Sequence, residues 1–159
     1  IMDASCFVTT FIDYYGLHQR HDFPDWNYSL SFQEKPKRME VLETGMYKDI
    51  EERFQSRFIP YIQLHEFEAL VFSEFDSFSK YYSSNEAKLD VLQQIIVGNS
   101  NPEDINDAIN TAPSKRLSSN IRGFNKFSDG VDICELTGLS KIRAKCPRFN
   151  NWITTLERL

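Results

Sequence analysis

The chain of 159 residues has no run of about 18 apolar residues, so no membrane-spanning helix is expected. Glycine and proline are scarce at six each, which leaves no room for a long flexible or collagen-like segment. Cysteine is scarcer still: Cys6, Cys134 and Cys146 are odd in number and widely spaced. No pair has a zinc-site spacing, so they read as reduced thiols in a cytoplasmic protein. The first residues, Ile1 to Val8, lack a basic region and a long apolar stretch, so no secretion signal is expected. There is no excess of positive charge either: the net charge is −5, which argues against a protein that simply coats nucleic acid.

Aromatic residues are plentiful, with 13 Phe and 7 Tyr, and each buries a large area, so a compact core is expected at this length. Charge is unevenly spread. Residues 1–112 carry 9 basic and 19 acidic side chains, a net of −10, whereas residues 113–159 carry 9 and 4, a net of +5. Two differently solvated faces would account for this. So would an acidic, metal-collecting site beside a basic, phosphate-collecting surface.

Val8-Thr9-Thr10-Phe11-Ile12, after Phe7, is β-branched and aromatic and ends in Asp13. It predicts a strand apolar on both faces, as in a sheet covered by helices. Met39, Leu42, Met46, Ile50 and Phe54 recur at helical spacing and predict a helix from about Glu34 to Phe54. Arg57 to Leu64 predicts a second strand, with Pro60 marking an edge or a bulge. Strand, helix and strand make a βαβ crossover with parallel pairing. Two strands are too few for such a sheet, so a further strand is expected from outside these segments. A short helix is expected from His65, further pieces over Ser73 to Tyr82 and Asn85 to Val97, and a helix from Asn101-Pro102 to Asn110. Thr111 to Arg116 reads as a loop, and two or three short helices close the chain, broken at Gly138 and Pro147. The chain is expected to be one domain, with a sheet-containing core over 1–98 and a helical portion over 99–159.

Asp13 ends an apolar strand, where ligands of open α/β sheets bind, and a carboxylate there suits a hard cation such as magnesium. It could equally cap the loop that follows. Glu66 and Glu68 follow the second strand. If the backbone is extended they share one face; if it is helical they diverge, and they then serve as acids at a helix start. Convergent carboxylates could hold magnesium against a transferring phosphoryl group. Ser114, Lys115 and Arg116 could grip phosphate, or simply form a polar surface. His18 and His21 lack the further ligands of a zinc site. Leu139 to Arg143, after Gly138, is weakly similar to a helix-hairpin-helix clamp on DNA, although short glycine turns between helices are common.

Four runs then combine. Val8-Thr9-Thr10-Phe11-Ile12-Asp13-Tyr14-Tyr15-Gly16-Leu17 is followed by Asp22-Phe23-Pro24. Arg57-Phe58-Ile59-Pro60-Tyr61-Ile62-Gln63-Leu64-His65-Glu66-Phe67-Glu68 continues to Phe72. Next come Thr111-Ala112-Pro113-Ser114-Lys115-Arg116-Leu117 and Ile142-Arg143-Ala144-Lys145-Cys146-Pro147-Arg148-Phe149, continuing to Trp152. Together, in this order, they resemble domain-of-unknown-function family 4276. The resemblance implies a Toprim-like fold: a small parallel sheet flanked by helices, related to the nuclease domains of overcoming-lysogenization-defect proteins. It implies Asp13, Glu66 and Glu68 as catalytic, metal-binding acids, magnesium as cofactor, and Ser114, Lys115 and Arg116 as motif residues. It also implies nucleic acid as a partner, and an ATPase partner in bacterial antiphage defence. Docking on that ATPase without catalysis is the alternative. Two departures stand out. Asp13-Tyr14-Tyr15 replaces the usual Asp-x-Asp, and no Glu-bearing strand and loop precede Asp13. The first βα unit is therefore expected to be missing, and the activity of this chain to be weak or absent.

Overall fold

A computed structural model describes residues 6–105 and 111–159. It is a mixed α/β structure with small parallel sheets and many helices, as expected. The chain divides into two compact units, 1–64 and 65–159.

The first unit is the βαβ crossover. Strand β1 (Val8–Thr9) pairs in parallel with β3 (Phe58–Ile59), and β2 (Ile12–Asp13) pairs in parallel with β4 (Ile62–Gln63). Both pairs keep one register, Val8 with Phe58 and Asp13 with Gln63, so they are one ladder interrupted in the middle. At the interruption the Tyr61 N–H donates to the Thr10 side-chain oxygen at 2.8 Å, replacing a backbone rung. In this register the N–H of Pro60, had it one, would point to the outer edge, so proline costs the ladder nothing. The next outward N–H, on Ile62, donates to the Glu43 carboxylate at 2.9 Å. That edge is thus closed by a proline and a side chain. The expected burial of the first strand on both faces is not seen: Phe7, Val8 and Phe11 are exposed, because a two-stranded ladder covers little of its own surface.

Between the strands lie α1 (Trp26–Ser29), α2 (Lys35–Asp49) and α3 (Glu52–Gln55). The single helix expected over 34–54 is two, because Ile50 and Glu51 are not helical. Met39 and Leu42 of α2 pack on Ile62 and Leu64, as their spacing predicts. Gly45 has a positive reason to be glycine. A methyl group there would lie 2.9 Å from the Pro24 carbonyl oxygen. Alanine improves helix propensity by about 1 kcal/mol but must displace backbone, which costs about 1–3 kcal/mol. We expect Gly45→Ala to destabilise the first unit slightly and Gly45→Val strongly, as read by urea denaturation.

The second unit is built around a 3₁₀ segment, Phe67–Ser73, whose residues from Glu68 to Ser73 are all buried. Its run from Ala69 to Phe72 is apolar on every side and must be surrounded, and here it is. Helices α4 (Phe75–Tyr81), α5 (Leu89–Gly98), α6 (Pro113–Asn120) and α7 (Asp129–Thr137) enclose Val71, Phe72, Phe78, Leu92, Leu117 and Ile133. Leu70 faces a second cluster with Ile142, Cys146 and Phe149, from α8 (Leu139–Lys145) and α9 (Pro147–Leu156). The breaks at Gly138, with φ of 80°, and at Pro147 fall where expected. Tyr81 and Tyr82 donate to Asp132 and Asp129 at 2.7 Å each, fixing α4 to α7.

Three expectations are corrected here. Residues 85–88 form a turn and a bridge rather than the start of a helix, since Ala87 pairs antiparallel with Ile121. The helix start at Asn101 is a 3₁₀ turn, Pro102–Asp104, capped by the Asn101 side chain; its expected continuation to Asn110 runs into residues 106–110, outside those described. The segment 113–116, expected as loop, is the first turn of α6.

Candidate functional site

Asp13 closes β2 beside Gln63, so both strands end at one edge of the first unit. It is half-buried and precedes a 3₁₀ turn, Tyr14–Gly16, to which its side chain makes no capping hydrogen bond. The other expected site residues all belong to the second unit.

His65 leads into them with a left-handed φ of 71°, a conformation uncommon outside glycine and often held in place at functional sites. Glu66 is extended, with φ −138° and ψ 155°, and Glu68 lies in the first turn of the 3₁₀ segment. The two acids are therefore not on one extended face. Glu68 is buried, at 6% exposure, and Glu66 is half-buried.

The structure brings together two groups that stand far apart in the sequence. One Glu66 oxygen accepts the Ser114 backbone N–H at 3.0 Å, and the other accepts the Ser114 hydroxyl at 3.1 Å. Ala112, at the cap position of α6, has no side chain able to bond the helix start, and Pro113 follows at the first helical position. Glu66 supplies that acceptor from 48 residues away. Ser114 is thus committed to Glu66. Arg116 donates to the Thr111 carbonyl at 2.8 Å and shapes the loop before the helix, while Lys115 is exposed.

The same device recurs at α9, where no local pattern pointed to it. Glu103, fully buried, accepts the N–H groups of Arg148 at 2.9 Å and Phe149 at 3.0 Å. The helix again begins at a proline, Pro147, after a residue, Cys146, that gives no side-chain cap. Burial pushes the Glu103 carboxyl above its ordinary range, against the downward pull of these two bonds and of Arg148. Burial also raises the Cys134 and Cys146 thiols to about 12, so neither serves as a ready nucleophile.

Among the described residues no group of three or more His, Cys, Asp or Glu side chains forms a ready metal cluster. The donor chemistry of Glu66 nevertheless suits a hard cation. Each carboxylate oxygen has two lone pairs, and Ser114 uses one on each. Hydrogen bonding of this kind commonly orients metal-binding carboxylates.

The family model for Domain of unknown function (DUF4276) matches residues 2–157. The chain belongs to this family. No curated protein and no solved structure matches this DUF4276 chain. No helix among its described residues is long and apolar enough to cross a membrane.

Proposed function

We propose that this DUF4276 chain is a metal-dependent phosphoryl-transfer domain of nuclease type, related to Toprim domains, with Asp13, Glu66 and Glu68 as its acids. The observation that carries the reading is the pair of bonds from Ser114 to Glu66, which holds a carboxylate in one orientation at the start of α6, one residue before the exposed Lys115. A strand-end position for Asp13 in a parallel ladder supports it further, since that is where α/β sheets bind ligands. Magnesium, when bound, supplies positive charge against the transferring phosphoryl group. The residues of the chain orient the acids, and Lys115 offers a cation to phosphate oxygens. A cytoplasmic setting and an ATPase partner in bacterial defence belong to the same proposal, on the strength of the resemblance.

The test is cleavage of single-stranded DNA, RNA and plasmid by the purified chain with magnesium. We expect weak, metal-dependent cleavage that Asp13→Asn reduces by on the order of 10²-fold, with an unchanged circular dichroism spectrum. No cleavage of any of these substrates, or full cleavage by Asp13→Asn, overturns the assignment.

A further inference from the structure

We infer that a phosphodiester strand docks along α6 of the second unit, in the cleft between the end of that helix and the start of α5. The inference rests on the nuclease reading for its biological meaning but on separate residues for its geometry.

The cleft is a cavity of about 570 Å³, within the size range of ligand sites, roughly 300–1,000 Å³. Its frame is rigid. Ala87 bridges Ile121, the Lys88 N–H donates to the Asn120 carbonyl, and the Arg122 N–H donates to the Glu86 carbonyl, both at 2.8 Å. Side chains alternate across such a rung. Ala87 and Ile121 are buried, whereas Lys88 and Arg122 are exposed and both line the cleft. Ser118 and Ser119 line the same cleft.

Lys115, Ser118 and Ser119 are spaced three and four apart on α6 and so form one stripe, which leads to Arg122 just past the helix end. All four are exposed. At a rise of about 1.5 Å per residue, Ser118 lies about 6 Å along the axis from Ser114, where Glu66 is held. The stripe would therefore hold phosphates close to a bond presented at Glu66. Two acids also line the cleft. Both are exposed and oppose an anion; Glu86 also accepts the Ser83 N–H at 2.9 Å and hydroxyl at 2.6 Å and faces the charge of Arg122.

Binding of a labelled twelve-nucleotide single strand to the full chain, without added metal, tests this by fluorescence anisotropy over a salt series. We expect Lys88→Ala with Arg122→Ala to weaken binding about tenfold or more and to flatten the logarithmic salt slope by about 0.7 for each phosphate no longer neutralised. Asp90→Asn should tighten it. A free mononucleotide or inorganic phosphate should compete only weakly; competition by either as strong as that of the strand would mean a small-ligand site and overturn the docking of a strand. Unchanged affinity in the double variant, or no binding by the wild type at low salt, overturns it as well. The two proposals fail separately. Cleft-dependent binding without any cleavage leaves the docking surface standing and sinks the nuclease reading. Cleavage indifferent to Lys88 and Arg122 does the reverse.

Discussion

Glu103→Ala is expected to cost about 3–5 kcal/mol of stability, much of what a domain of this size possesses. Two backbone N–H groups, on Arg148 and Phe149, lose a buried carboxylate acceptor together. Each donor left unsatisfied inside the protein costs about 1–3 kcal/mol, and a bond to an ionised acceptor lies at the upper end. The loss spreads, because Phe149 anchors α9 in the cluster with Leu70, Ile142 and Cys146. Glu103→Gln should cost less, about 1–2 kcal/mol, since the amide oxygen still accepts one N–H while its NH₂ confronts the other. Urea denaturation followed by tryptophan fluorescence is well placed to report this, because Trp152 packs against Phe149 at a ring separation of 5.7 Å.

The same residue should imprint a pH dependence. Its folded-state pKa is raised, so the folded protein holds this proton more tightly than the unfolded chain does. A raised carboxyl contributes its stability fully below the ordinary glutamate value of about 4.3 and loses that contribution as pH rises through the folded pKa. Stability of the wild type should therefore fall across that window, and Glu103→Gln should remove this part of the fall. A variant as pH-dependent as the wild type over the window would show that Glu103 is not the source.

The difference between what could and could not be read from the sequence follows the reach of each interaction. The crossover was legible because local patterns carry it: β-branched runs at 8–12 and 57–64 and a helical stripe through Met39 and Leu42. Pro60 announced an edge or a bulge for the same local reason, and the ladder has it facing an edge. The breaks at Gly138 and Pro147 needed only backbone preferences. The helix start at Pro147 was legible only as a break, and the one at Pro113 was read as loop. Proline suits the first helical position, but neither Ala112 nor Cys146 can cap, so an acceptor had to come from elsewhere. Nothing local says that Glu66 and Glu103 supply it from 48 and 45 residues away. For the same reason Ser114, alone in the sequence, suggested a phosphate contact, whereas in the fold it bonds Glu66. The polar stripe that runs on from Lys115 emerges only once residues 113–120 are known to be helical.

Glu66→Gln and Ser114→Ala should separate chemistry from helix capping. If Glu66 only caps α6, both substitutions act on stability, by about 1 kcal/mol, and on nothing else. If Glu66 also binds the catalytic cation, Glu66→Gln should lower single-turnover cleavage by on the order of 10²-fold or more, because a neutral amide is a poor ligand for magnesium. Ser114→Ala keeps the carboxylate but removes the hydroxyl donor at 3.1 Å, leaving only the backbone N–H to orient it. Removing such a supporting hydrogen bond typically costs 10- to 100-fold, roughly, in metal affinity or activity. We therefore expect Ser114→Ala to raise the magnesium concentration needed for half-maximal cleavage while saturating magnesium restores most of the rate. Glu66→Gln should not be rescued in this way. An unchanged magnesium requirement in Ser114→Ala, together with the expected small loss of stability, would reduce Glu66 to a structural cap and remove the observation on which the phosphoryl-transfer reading rests.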